Sequence, residues 1–285
     1  MFRKFSYTWE LMGASWGVLK QDKELLVFPL ISGICCLLVA ASFAAPIWYT
    51  GNWHPPGRDA NWQRQVVYYG VLFLFYLCNF TVITFFNTAI IAGAIERMSG
   101  GDPTFASCLS ASFSRLPLIF GWAFVSATVG LVLRMIEDRS EKVGQFVAGL
   151  LGMAWSIASF LVVPILVAER KGPIDALKDS ASLLKKTWGE QLVSNFSFGV
   201  VFFLLSLPAY LVIGFAVYAG VALKSIPLAV AAAVLGVVYL IVLALVQSAL
   251  QSIFQAALYL HVREKLDPTH YPDNLLADAM DRRRR

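Results

Sequence analysis

The sequence predicts an all-α polytopic membrane protein, and three observations carry that prediction. Its 285 residues are 58% hydrophobic and only 14% charged, and the mean hydropathy of +0.66 lies above that of water-soluble domains. Six uncharged runs match the roughly 20 residues needed to cross about 30 Å of hydrocarbon: 25–50, 65–95, 116–133, 143–168, 191–223 and 225–262. Lysine and arginine are also unevenly shared between the connecting segments. One side carries Arg3, Lys4, Lys20, Lys23, Arg97, Arg115, Arg170, Lys171, Lys178, Lys185, Lys186, Arg263, Lys265 and Arg282 to Arg285, against Arg58, Arg64, Arg134, Arg139, Lys142 and Lys224 on the other. Both termini are therefore expected on the cytoplasmic side, as an even number of spans requires.

The chain begins with scattered charges and no cleavage site behind a short apolar core, so the first span is expected to stay in the mature protein. Before that span, Phe5, Trp9, Met12, Trp16 and Leu19 recur at helical spacing, opposite Lys4, Thr8, Ser15 and Gln21. Ahead of the third span, Phe105, Leu109, Phe113 and Leu116 form an apolar face, with Ser107, Ser110 and Ser114 turned away, Asp102 as N-cap and Pro103 in the first turn. Ahead of the fifth, Ile174, Leu177, Ala181, Leu184 and Trp188 line one face; Asp175, Lys178, Asp179, Lys185 and Lys186 occupy the other. Each stretch reads as a short helix lying in the cytoplasmic interface, anchored there by Trp9, Trp16, Phe113 and Trp188.

These features recur as interfacial helix, span, span. Ser15–Trp16, Ser112–Phe113 and Ser182–Leu183 register the interfacial helices. The even-numbered spans register on Asn87, Pro164 and Gln255, each followed by an acid–base pair and then by Pro103, Pro173 or Pro268. A degenerate threefold repeat of parallel units follows, at about 1–99, 100–171 and 172–265, within one transmembrane domain 1–265; a cytoplasmic tail covers 266–285. Its four terminal arginines suit anionic headgroups. The net charge of +5 reflects this sidedness and indicates no nucleic-acid partner.

The segments "SWGVLKQDKELLVFPLISG", "GWAFVSATVGLVLRMIEDR", "FQAALY" and above all "GPIDALKDSASLLKKTWGEQL" resemble a bacterial membrane-protein family known only as domain of unknown function 6159. The layout is more loosely similar to the membrane domain attached to some glycerophosphodiester phosphodiesterases. The resemblance implies a fold and a place in the bacterial inner membrane, and no activity.

Polar residues inside the hydrocarbon are functional candidates because an unpaired one there costs several kcal/mol, on the order of a lost hydrogen bond in an apolar medium. In the sixth span, Gln247, Gln251 and Gln255 lie four apart on one stripe, beside Ser248 and Ser252. The second span offers Asn79, Thr81, Thr84, Asn87 and Thr88. Such a stripe serves either as interhelical glue, pairing with the Asn79/Asn87 face, or as a polar pathway. Arg134, Glu137, Asp138, Arg139, Glu141 and Lys142 are expected to balance one another in an outer turn. Cys35, Cys36, Cys78 and Cys108, with His54, His261 and His270, form no metal set. No nucleophile–base pair or cofactor motif emerges, and Gly100–Gly101 reads as a helix stop. The expected function is non-enzymatic: a membrane scaffold, or a subunit working with anionic lipid, a membrane-protein partner or a second copy. The alternative is a transporter for a small polar or lipid-derived solute.

Overall fold

The computed structural model describes the backbone of residues 13, 15–50, 61–139, 143–222 and 226–263; within these, the side chains of 46–50, 139, 143, 184–198, 217, 221, 222, 226, 228, 229 and 261 are not described. Phe5, Trp9, Met12, Trp188, the terminal arginines, His54, His261 and His270 therefore lie, wholly or by their side chains, outside the described residues, as do Arg139, Glu141 and Lys142. All regular structure among the described residues is helical.

A helical stretch at 15–21 leads into a 3-10 turn, Lys23–Leu26. Then follow α1 (Val27–Thr50), α2 (Trp62–Met98), α3 (Phe105–Phe113), α4 (Leu116–Arg139), α5 (Val143–Ala158), α6 (Val162–Glu169), α7 (Pro173–Ala222) and α8 (Ile226–Val262). Six stretches are long and apolar enough to cross a membrane: Lys23–Ala45, Trp62–Met98, Leu116–Asp138, Gly144–Glu169, Gly199–Gly220 and Val230–Leu260.

The local signals that end and start these helices are mostly as read, with corrections. α2 stops at Gly100, whose φ of 83° is the left-handed conformation that glycine accepts freely. The N–H groups of Gly100 and Gly101 donate to the Arg97 and Glu96 carbonyls at 3.0 and 2.9 Å. The cap of α3 is Thr104 rather than Asp102. Thr104 Oγ1 accepts from the Ser107 N–H at 3.1 Å, and Ser107 Oγ accepts from the Thr104 N–H at 3.0 Å. Asp102 is instead drawn to Arg97.

The fourth span is not one helix. It breaks at 159–161 into α5 and α6. Pro164 is the third residue of α6, where its missing N–H falls among donors that have no intrahelical partner in any case. Irregular backbone is tolerated at membrane depth only where protein surrounds it, and Leu161 and Val162 are fully buried. The Leu161 N–H donates to Ser180 Oγ of α7 at 3.1 Å. The interfacial helix expected at 174–188 and the fifth span are, conversely, one helix of 50 residues, about 75 Å long at 1.5 Å per residue.

α2, α6 and α8 touch pairwise at the centre of the bundle. α1 and α4 lie on α2, α5 on α4, and α7 on both α6 and α8. Burial concentrates at the end where α2, α6 and α8 terminate: Phe28, Ile90, Met98, Leu161, Ile165, Phe254 and Tyr259 are enclosed there. Toward the other end Leu37, Leu38, Phe146, Leu211, Phe215 and Leu235 are exposed, the pattern of surface that meets lipid.

The amphipathic stretches place small residues deepest. Ser15 is buried with Val18 and Leu19, while Trp16 is exposed, its ring 5.9 Å from Lys20 Nζ. In α3 the inward residues are Cys108 and Ser112, and Phe113 is 56% exposed. In α7 they are Ala176 and Ser180; Ser182, chosen for the register, is exposed. A small inward residue lets one backbone approach another, and Ser15, Ser112 and Ser180 do so, while Leu19, Phe105, Leu109 and Leu177 of the expected apolar faces also pack on the core and Trp16, Phe113 and Ile174 turn outward.

Candidate functional site

The termini of α2, α6 and α8 meet the starts of the first turn, α3 and α7 in a charged rim. Arg97, near the end of α2, grips Asp22 with two nitrogens and also pairs with Asp102. Asp22 is only 6% exposed. Next to it, Glu24 Oε2 accepts from the Phe105 N–H at 2.6 Å, so a residue of the first segment satisfies a free donor at the start of α3. Ser112 Oγ donates to the Phe85 carbonyl of α2 at 2.9 Å and fixes the other end of α3.

A second knot joins α6, α7 and α8. Glu169 pairs with Lys171 at 2.8 Å and Arg263 at 2.7 Å, and accepts from the Tyr259 hydroxyl at 3.0 Å. Lys171 also pairs with Asp179, and those two carboxylates hold the Lys171 ammonium above the usual lysine range. Between the knots, Arg115 Nε donates to the Val167 carbonyl at 2.8 Å, capping the last turn of α6. Burial, aided by the neighbouring Arg170 charge, lowers the Arg115 pKa.

The sequence-predicted polar residues occupy a level above this rim. At 1.5 Å per residue, Gln255, Gln251 and Gln247 lie about 10, 17 and 23 Å up α8 from Val262, and Asn87 lies about 17 Å up α2 from Met98. All four are half-buried and make no side-chain hydrogen bond within the described residues. Asn79 does not reach across to the glutamines: its Nδ2 donates to the Phe75 carbonyl one turn back on α2, at 2.9 Å. Thr88 Oγ1 is buried without a partner among the described residues. Ser252 is buried and donates to the Ser248 carbonyl at 3.0 Å.

Phe113 stands exposed, its ring edge-on to Phe85 with centroids 5.0 Å apart. At the opposite end Arg134 pairs with Glu137 at 3.2 Å and with Asp138 at 3.3 Å, so this part of the outer cluster is self-balancing as read. The ion partners of the rim were missed in the sequence; the available signal was that each even span ends in adjacent acid and base residues. Among the described residues, no group of three His, Cys, Asp or Glu is placed to hold a metal.

Six apolar helices closed at one end by a rim of ion pairs define a helical multi-pass membrane protein. Within that class, the chain belongs to the Family of unknown function, DUF6159, whose model matches residues 66–266. No curated protein matches it.

Proposed function

We propose that the chain is a non-enzymatic organiser of the bacterial inner membrane, a scaffold or a subunit of a membrane assembly, with its charged rim and both termini on the cytoplasmic side. The observation that carries this reading is the use made of the rim charges. Asp22, Glu169 and Asp179 are each engaged in ion pairs that fasten one helix to another, so these carboxylates serve architecture. The distribution of lysine and arginine supports the orientation. Three units of interfacial helix, span and span, about 1–99, 100–171 and 172–265, are supported by the inward serines Ser112 and Ser180, each bonded to the backbone of the even span before it. The looser likeness to membrane domains of glycerophosphodiester phosphodiesterases adds no activity to this reading.

One observation favours the second reading, a polar pathway: among the described residues, the amides of Asn87, Gln247, Gln251 and Gln255 and the hydroxyl of Thr88 have no partner. Replacing Gln247 and Gln251 together by Leu separates the two. Under the organiser reading, proteoliposomes bearing wild-type chain or Gln247→Leu/Gln251→Leu are equally tight to glycerol and to potassium, and the variant keeps its thermal midpoint and its co-purifying partners. A wild-type leak that the double variant abolishes would overturn the organiser reading.

A further inference from the structure

Five of the described lysines and arginines form no ion pair: Lys20, Lys23, Arg64, Arg115 and Arg170. Two of these stand together. Arg115 immediately precedes α4 and holds the Val167 carbonyl, three residues before Arg170. Arg170 is exposed and closes α6 in the left-handed conformation, φ 52°. The turn that follows is pressed against α4: a Cβ built on Gly121 would lie 2.9 Å from Pro173 Cγ. Arg115 Nη1 also donates to the Ala111 carbonyl at 2.8 Å and to Ser114 Oγ at 3.2 Å, and close by along the chain Leu116, Phe120 and Ile174 are exposed at 39, 51 and 50%. The acids nearest in sequence are already engaged, Glu169 with Lys171 and Arg263, and Asp175 with Lys178 at 3.7 Å.

We propose that Arg115 and Arg170 hold the phosphate of one anionic phospholipid, with its acyl chains lying along Leu116, Phe120 and Ile174. The site lies where the third span begins and the fourth ends, which is headgroup depth for that leaflet. Planar guanidinium groups suit phosphate oxygens. The two cations without acidic partners ask for an anion, and the large apolar side chains beside them ask for hydrocarbon attached to it. A free phosphate would leave those side chains unused; a neutral lipid would leave the charges uncompensated.

This inference rests on the reading that the charged rim meets lipid headgroups and narrows it to one place. The test is a titration of the purified full chain, in dodecyl maltoside micelles, with fluorescent short-chain phosphatidylglycerol and, separately, phosphatidylcholine. Wild type should prefer phosphatidylglycerol. Arg170→Ala should weaken that lipid about fivefold, the worth of one cation at an anionic surface, and leave phosphatidylcholine unchanged. Arg64→Ala, on the far end of α2, should have no effect, and millimolar inorganic phosphate should not displace the lipid.

Because Arg115 also caps α6, its replacement is read through Arg115→Lys, which keeps the charge and should lose less affinity than Arg115→Gln. Equal binding of the two lipids to wild type would overturn the rim reading itself. A phosphatidylglycerol preference that survives Arg170→Ala intact, or one that Arg64→Ala lowers equally, would overturn the site and leave the rim reading standing. Displacement by inorganic phosphate would overturn the acyl-chain part.

Discussion

Replacing Arg97 by Leu should lower the stability of the detergent-solubilised protein by about 3–5 kcal/mol, the usual cost of removing one partner from an enclosed ion pair. The reason lies in what is left behind. Asp22 is 6% exposed and takes two of the Arg97 nitrogens, so without them a carboxylate remains enclosed and uncompensated. Asp102 contributes little, because at 88% exposure water already solvates it. The pair also joins points 75 residues apart in sequence. Losing it releases the first turn from the end of α2 and weakens the Glu24 bond to the start of α3. Asp22→Asn should cost less, since the amide still bonds the guanidinium. The double variant Asp22→Leu/Arg97→Leu should recover much of the loss, because no orphaned charge remains. Thermal unfolding followed by circular dichroism would decide this, and an Arg97→Leu midpoint indistinguishable from wild type would show that the pair holds nothing.

The second large effect is expected at Gly93. A Cβ there would sit 2.6 Å from Cys108 Sγ and 2.9 Å from Leu25 Cδ2, so α3 rests on α2 at a distance that only glycine permits. Gly93→Val should cost about 1–3 kcal/mol by overpacking, and Cys108→Ala in the same chain should return part of it by removing the nearer atom. A separate readout is available in the thiol. Burial pushes Cys108 up to about 11, so in the native protein it should resist maleimide at neutral pH, where the reactive thiolate is scarce. In a chain whose other cysteines are serine, Gly93→Val should speed that labelling as α3 lifts. Unchanged labelling together with an unchanged midpoint would contradict the tight fit.

The six spans were legible because each is a long apolar run, a signal that does not depend on tertiary contacts. The break in the fourth span was not read, although Pro164 offered a cue, since "SFLVVP" is apolar throughout and a proline in a span reads equally well as a kink. What fixes the break is a bond from Leu161 to Ser180, a residue of the next helix. The deepest contacts of the interfacial stretches were not legible for a related reason. Periodicity finds the side where large apolar residues gather, and Phe105 and Leu109 do pack on the core, but the fully buried residues of α3 are the small Cys108 and Ser112, while Phe113 turns outward. The glutamine stripe was found as a stripe, and Gln247 and Gln251 are half-buried on α8. Whether Asn79 would pair with it could not be read from spacing, because the bond Asn79 makes within its own helix is equally compatible with that spacing.

The concentration of burial at one end divides the bilayer unequally. In the leaflet beside the rim the helices pack closely on one another; in the opposite leaflet Leu37, Leu38, Phe146, Leu211, Phe215 and Leu235 are left uncovered by the described residues. Acyl chains must complete the packing there, so part of the solvent acts as a building material for the fold. Exchange of lipid for detergent should loosen the far half first, and amide hydrogen exchange in the two media should diverge in α5 well before it does in α6.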